Sequence, residues 1–194
     1  MSKRNAEINR TTRETRVELS ISLDGTGDAM LDTGLGFLDH MLTALATHAR
    51  IDLKLKCAGD LEVDDHHTVE DCAIVLGEAF NTALGEKRGI RRFASAYAPL
   101  DESLARAVLD ISGRPTACVN LALHRDTIGP VASENITHFF VSFAMAARLT
   151  LHLDVLRGEN DHHKAEAAFK ALALAVREAV TINDDRIPST KGVL

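Results

Sequence analysis

The chain has 194 residues, of which 45% are hydrophobic and 26% charged, proportions typical of a globular protein with a buried core. Its formal net charge of −6 argues against a nucleic-acid partner, because phosphate contacts usually need a basic face. Cys57, Cys72 and Cys118 lack CxxC spacing and lie in apolar contexts, so we expect buried thiols and a cytoplasmic protein. No apolar h-region opens the sequence and no run approaches the roughly 18 apolar residues of a membrane helix, so we expect no secretory signal and no membrane partner.

The first half predicts two strands, a helix, a strand and a second helix. Alternating apolar residues predict strands over 17–23 and 51–57, and a short strand is expected near 28–32. Apolar residues at helical spacing predict helices over 37–49 and 66–84. A turn-rich, charged connector at 85–89 sets the boundary between a first repeat, residues 1–90, and a second, residues 91–194.

The second half predicts the same succession of elements. Strands over 104–111 and 116–123 are expected to form a hairpin closed by the turn 112–115. A helix over 133–147, a strand over 149–156 and a helix ending near 180 follow. Pro188 excludes a helix in the last segment, which by itself predicts a frayed tail.

A repeated motif supports an internal duplication. His66-His67-Thr-Val-Glu70 returns as His162-His163-Lys-Ala-Glu166. Upstream, His40 and His138 are each followed ten residues later by an arginine and then by a strand. The predicted fold is therefore α+β: a duplicated β-β-α-β-α unit, with helices packed on one face of a mostly antiparallel sheet in each half, and the halves related by a pseudo-twofold axis into one functional domain.

The duplicated positions form an inventory of metal ligands: His40, His66, His67, Glu70, His138, His162, His163 and Glu166. Residues three apart share a helix face, so His67 and Glu70 are expected to serve one ion and His163 and Glu166 another. Adjacent histidines diverge by roughly 100°, so His66 and His162 are expected to reach the ion of the opposite helix. Imidazole and carboxylate ligands favour Mn²⁺, Fe²⁺ or Zn²⁺, and four protein ligands leave two octahedral positions open.

One position breaks the symmetry of the two motifs. Lys170 lies on the helix face of His163 and Glu166, whereas the first copy has Ile74 at the same position. A cation beside one site predicts an anionic substrate of fixed orientation, although a solvated surface lysine explains the residue equally well.

Five segments resemble the imidazoleglycerol-phosphate dehydratases of histidine biosynthesis. They are residues 36–42, 65–72, 111–115, 160–166 and 189–192, and the resemblance runs from about residue 10 to the C-terminus. It implies a di-manganese lyase that dehydrates D-erythro-imidazole glycerol phosphate to imidazole acetol phosphate. It also implies a homo-oligomeric shell of 24 subunits, active sites built from neighbouring subunits, and no additional phosphatase domain.

The resemblance assigns residues to roles by position. One manganese ion would be held by His40, His67, Glu70 and His162, and the other by His66, His138, His163 and Glu166. The substrate would be contacted by Glu14, His40, His48, His66, Glu70, Arg92, Arg114, His162, Lys170, Ser189 and Lys191, of which Arg92, Arg114, Lys170, Ser189 and Lys191 match phosphate contacts. The tail would then be ordered over the phosphate, and Glu14 would be the catalytic base or proton shuttle.

Two other functions use the same ligands. A dinuclear metallohydrolase would activate a bridging water, but it leaves the phosphate contacts on one side unexplained. A non-catalytic metal store or metal-dependent shell would bind metal without turnover.

Overall fold

The computed structural model describes residues 4–192 and 194, which form two similar halves. The first half contains β1 (Asn5–Thr11), β2 (Thr15–Ser22), β3 (Ala29–Asp32), α1 (Gly36–Ala49), β4 (Asp52–Gly59) and α2 (His66–Leu84). The second contains β5 (Phe93–Leu100), β6 (Ser103–Asp110), β7 (Thr116–Asn120), the short β8 (Thr127–Ile128) and β9 (Val131–Ala132), α3 (Ser133–Ala146), β10 (Thr150–Arg157) and α4 (Asp161–Ala179). We propose that the repeats divide at residue 90, as the sequence predicts, although residues 1–3 of the first lie outside the described part.

The two main sheets have the same topology. Their strand orders are β1-β2-β4-β3 and β5-β6-β10-β7, and in each the last neighbouring pair is parallel while the others are antiparallel. Arg50, between α1 and β4, and Arg148, between α3 and β10, have the same left-handed conformation, with φ of 55° and 56°. The α+β fold and its duplication are thus confirmed.

The predicted β-β-α-β-α unit needs correction, because each half begins with an additional strand and the second half also contains the short β8 and β9. β1 is an edge strand with a weakly apolar face. β5 reverses the usual pattern, since its large side chains Phe93 and Tyr97 are exposed while Ala94 and Ala98 face the core. Neither segment therefore carries the alternation of large buried residues that indicates a strand.

The predicted hairpin between β6 and β7 is wrong. β10 lies between these strands, antiparallel to β6 and parallel to β7. The segment 112–115 instead crosses the end of β10, where Thr116 N donates to Leu149 O at 3.1 Å. Cys118 on the edge strand β7 is exposed, which corrects its prediction as a buried thiol, whereas Cys57 and Cys72 are buried.

The halves meet through their helices, which lie between the two sheets. α2 packs on α3 and α1 packs on α4, while α2 and α4 cover the inner faces of their own sheets. Gly77 permits the close approach of α2 to α3, because a Cβ there would lie 2.7 Å from Phe143 O and Ala147 N. None of the helices within the described residues is long and apolar enough to cross a membrane. The packing of α1 on α4 and of α2 on α3 brings a histidine of one half to the glutamate of the other.

Candidate metal centre

The first cluster of potential ligands joins α1 to α4. Nε2 of His40 and Nε2 of His162 lie 3.2 and 3.3 Å from Oε2 of Glu166. The two imidazole centroids are 5.7 Å apart. One ligand atom from each of the three residues lies within 4.8 Å of the others, a spacing that one ion can span.

The second cluster is the counterpart in the duplication and joins α2 to α3. Nε2 of His138 lies 2.8 Å from Oε1 of Glu70, and the ring of His138 stacks on that of His66 with centroids 5.0 Å apart. The three ligand atoms again lie within 4.8 Å of one another. Asn135 fixes the ring of His66, because its buried Oδ1 lies 2.9 Å from Nδ1 of the histidine.

The second histidine of each motif lies outside these clusters. His67 Nδ1 is 3.1 Å from Asp60, and His163 Nδ1 is 2.7 Å from Glu102. These hydrogen bonds raise the pKa of both imidazoles, although desolvation opposes the rise. The bond from His163, with backbone donors of Asn160 and Glu159, holds the pKa of Glu102 well below its ordinary value.

The single chain therefore brings together part of each predicted ligand set. His40 and His162, assigned to one ion, are neighbours, and so are His66 and His138, assigned to the other. The glutamates are exchanged relative to the prediction, because Glu166 lies with His40 and His162 and Glu70 lies with His66 and His138. His67 and Glu70 accordingly do not converge within one chain.

Local contacts fix the start of α4, which carries His162 and His163. Asn160 caps the helix, its Oδ1 accepting from the backbone N–H groups of both histidines. Asp161 accepts from Lys164 Nζ at 2.8 Å and from the backbone N–H of His124 and Arg125 at 2.7 and 2.6 Å. The motif is thus anchored to the segment that follows β7.

Glu14 lies in the β1–β2 turn beside the first motif. Its side chain is 52% exposed, and Oε1 lies 3.7 Å from His67 Nε2. The hairpin is attached to α2 by Asp71, whose carboxylate accepts from Thr15 Oγ1 and pairs with Arg10. This attachment leaves the Glu14 carboxylate near the histidine motif and open to a ligand.

Two of the predicted phosphate contacts share a carboxylate near the tail. Arg92 Nε donates to Asp110 at 2.7 Å, and Arg114 approaches the same carboxylate at 3.9 Å. Arg92 Nη1 also donates to Pro188 O at 2.7 Å, which brings the tail residues next to it. The tail is not frayed as far as Pro188, since Ile182, Asn183 and Arg186 also pair with the segment around Gly89.

The tail residues and the asymmetric lysine complete the predicted substrate contacts. Ser189 Oγ accepts from the backbone N–H of Lys191 at 3.2 Å. Lys170 Nζ lies 2.7 Å from Glu166 Oε1. Burial raises the pKa of Glu166, but Lys170 and His40 outweigh this effect and leave the pKa below its ordinary value. His48 is half-buried in the last turn of α1, and its side chain makes no hydrogen bond to the described residues.

Sequence reasoning missed the residues that orient the histidines: Asp60, Glu102 and Asn135. The duplication contains a signal for Glu102. It precedes Ser103 at the start of β6 as Glu14 precedes Thr15 at the start of β2. Asp60 has a weaker signal, since it follows Gly59 as Glu159 follows Gly158, whereas Asn135 stands where the first copy has Phe37.

The chain is similar to known proteins over nearly its whole length. Residues 33–176 match the imidazoleglycerol-phosphate dehydratase family. The chain is 60% identical to the imidazoleglycerol-phosphate dehydratase of Phytophthora nicotianae over 98% of its own length, although it spans only 42% of that relative. It is 57% identical to the enzyme of Phaffia rhodozyma, covering 98% of this chain and 96% of the relative. The crystal structure of the Staphylococcus aureus enzyme superposes with a TM-score of 0.84 at 38% identity, covering 92% of this chain and 99% of the other. The chain belongs to the imidazoleglycerol-phosphate dehydratase family.

Proposed function

We propose that the protein dehydrates D-erythro-imidazole glycerol phosphate to imidazole acetol phosphate in histidine biosynthesis, using two manganese ions per active site. Membership of the dehydratase family supports the reaction. The observation that carries the metal assignment is the pair of duplicated clusters, in each of which two imidazoles predicted for the same ion lie side by side, His40 with His162 and His66 with His138. The same proposal includes a cytoplasmic location, which the reduced cysteines predicted from the sequence support.

The donor set fits manganese. Imidazole and carboxylate ligands suit Mn²⁺. Within the described residues neither cluster contains a cysteine, the ligand that is common in closed structural zinc sites. The ions that these residues would hold could orient and polarise the substrate's imidazole ring. The chain itself would supply the histidines, the carboxylates and the groups that bind the rest of the substrate.

We further propose that each ion is shared between chains. The pairs His40–His162 and His66–His138 lie together in one chain, whereas the ligands that complete each predicted set, His67 with Glu70 and His163 with Glu166, would come from a neighbouring chain. His67 and His163 lie outside the clusters, each hydrogen-bonded to a different carboxylate, which supports this division. Sharing of this kind is consistent with the proposed shell of 24 subunits.

Glu14 is the residue that we propose to move the proton. Dehydration removes a proton from carbon and a hydroxyl group, which together make up the released water, so a base must accept the proton from carbon. Glu14 is half-exposed beside His67 and is held there by the attachment of its hairpin to α2. Arg92, Arg114, Lys170, Ser189 and Lys191 would bind the phosphate, and His48 would contact the substrate from α1.

The decisive experiment incubates the Mn²⁺-loaded protein with imidazole glycerol phosphate and follows formation of the ketone product by NMR. Glu14→Gln should abolish product formation while preserving metal content. Glu18→Gln provides a matched control, because Glu18 is an exposed glutamate on the next strand whose contact is with Arg16. Phosphate release without the ketone would favour a metallohydrolase, and metal binding without turnover would favour a metal store.

A further inference from the structure

Carboxylates outside the proposed ligand set hold both of the second histidines of the motifs. Oε2 of Glu102 lies 2.7 Å from Nδ1 of His163, and Oδ1 and Oδ2 of Asp60 lie 3.1 Å from Nδ1 of His67. An ionised carboxylate is only an acceptor, so each of these bonds requires the hydrogen to be on Nδ1. The lone pair of the neutral ring is then on Nε2.

Glu102 is itself fixed to the loop that begins α4. Its Oε1 accepts from the backbone N–H of Asn160 at 2.9 Å, from that of Glu159 at 3.1 Å and from Ser103 Oγ at 3.0 Å. One oxygen therefore binds the loop while the other binds His163. This arrangement fixes the imidazole relative to the helix start on which His162 also lies.

The two halves use different carboxylates to hold the second histidine of the motif and to fix the neighbouring hairpin or loop. In the second half, the hairpin glutamate Glu102 contacts both the loop and the second histidine. In the first half, Asp60 contacts the histidine and Asp71 holds the hairpin, so the equivalent glutamate, Glu14, is 52% exposed. After duplication, one hairpin carboxylate is used for orientation and the other is left available to the substrate.

We infer that Glu102 and Asp60 are positioning residues that fix His163 and His67 in the tautomer whose Nε2 can bind metal. The inference rests on the proposed metal centre. Ligating histidines generally donate their other N–H to such a partner, and loss of that partner typically weakens metal affinity by about 10- to 100-fold. A glutamine or asparagine in place of the carboxylate can present an N–H to Nδ1, which would move the imidazole hydrogen to Nε2.

The test measures Mn²⁺ binding to the full chain by calorimetric titration, with thermal unfolding in EDTA as a check on folding. Glu102→Gln keeps a side-chain oxygen for the backbone donors of the loop. We expect it to weaken Mn²⁺ binding about 10- to 100-fold at the site that His163 would complete, and to leave the other site unchanged. Asp60→Asn should give a loss of similar size. Asp60→Asn separates the effect on the histidine from any effect on the loop, because the side-chain oxygens of Asp60 hydrogen-bond only to His67 among the described residues.

Asp101→Asn is the matched control for charge. Its carboxylate lies 3.9 Å from His163 Nε2 and is 75% exposed, so its removal deletes one nearby negative charge without changing the Nδ1 partner. A loss as large in Asp101→Asn as in Glu102→Gln would overturn the inference in favour of a general electrostatic effect. Wild-type affinity in both Glu102→Gln and Asp60→Asn would overturn it while leaving the metal centre intact. Failure of the wild-type protein to bind Mn²⁺ would overturn both proposals.

Discussion

The buried ion pair between Asp161 and Lys164 should be a large contributor to the stability of the second half. Each side chain is only 2% exposed, and their closest atoms are 2.8 Å apart. Lys164 Nζ also donates to Ala122 O, and Asp161 accepts two backbone N–H groups. Asp161→Asn keeps the size of the side chain but leaves the ammonium group buried without its counter-charge.

The magnitude follows from the pKa of Asp161. Burial raises this pKa, but the hydrogen bonds from Lys164, Arg125 and His124 outweigh burial and lower it from 3.8 to about 2. At about 1.4 kcal/mol per pKa unit, the native environment favours the charged form by about 2.5 kcal/mol. Breaking a buried pair by removing one partner typically costs about 3–5 kcal/mol. We therefore expect Asp161→Asn to reduce the free energy of unfolding by about 2.5–5 kcal/mol.

Urea denaturation of the EDTA-treated protein at a fixed protein concentration measures this loss without the contribution of metal binding. Asp154→Asn is the control, because its partner Arg106 is 40% exposed and such pairs are worth about 1 kcal/mol or less. Lys164→Met in the Asp161→Asn background should recover part of the loss, since it removes the unpaired charge. The reasoning is refuted if Asp161→Asn loses no more stability than Asp154→Asn.

The effect should also depend on pH with a defined sign. The pKa of Asp161 is depressed in the folded state, so its stabilisation is fully present above the unfolded value of 3.8. The contribution is lost as pH falls through about 2, and the difference between wild type and Asp161→Asn should shrink over that interval. A difference that stays constant between pH 5 and 2 would assign the loss to packing.

The remaining predictions concern the proposed centre. Replacing His67 or His163 by alanine should abolish turnover, because the ion that loses its histidine would keep only three protein ligands; near-normal kcat at saturating Mn²⁺ in either variant would exclude the two-metal proposal. Lys170→Ala and Arg114→Ala should weaken binding of both substrate and inorganic phosphate about 10- to 100-fold, from the loss of about 1.5–3 kcal/mol per charge-assisted contact. Arg114→Ala, which touches no proposed ligand among the described residues, should leave metal content unchanged. An equally large loss of activity in these variants on a dephosphorylated substrate would contradict that assignment, because the lost contacts would then not be contacts with the phosphate. EDTA, which removes the ions, should dissociate the proposed 24-subunit shell in light scattering, and Mn²⁺ should restore it. Acid should act in the same way, because imidazole binds metal only when deprotonated. A constant particle mass after metal removal would show that the ions do not join the subunits.

Much of the candidate site was accessible from the sequence because its signals are local. The motifs His66–Glu70 and His162–Glu166 lie at the starts of α2 and α4, and the structure confirms both helices. A helix of known period fixes which residues share a face over a few turns, so the divergence of adjacent histidines could be stated without tertiary information. The repetition of the motifs then identified the duplication.

The tertiary structure decided the features that depend on distant segments. The alternation in β6 and β7 predicted strands correctly but not their neighbours, because β10, which begins 30 residues after the end of β7, pairs with both. The inward alanines of β5 pack against α4, so burial there involves small side chains that the pattern does not distinguish. Strand order follows from which segments can cover one another, and no short window of sequence contains that information.

The site divides in the same way. The sequence by itself determined the ligand types, their duplication and the unequal position of Lys170. The helix crossings α1–α4 and α2–α3 decided that His40 lies beside Glu166 and His138 beside Glu70. The hairpins decided that Glu102 holds His163 while Glu14 is left open beside His67. Local periodicity orients a side chain on its own helix, but only the packing of two elements determines which side chain of another segment it meets.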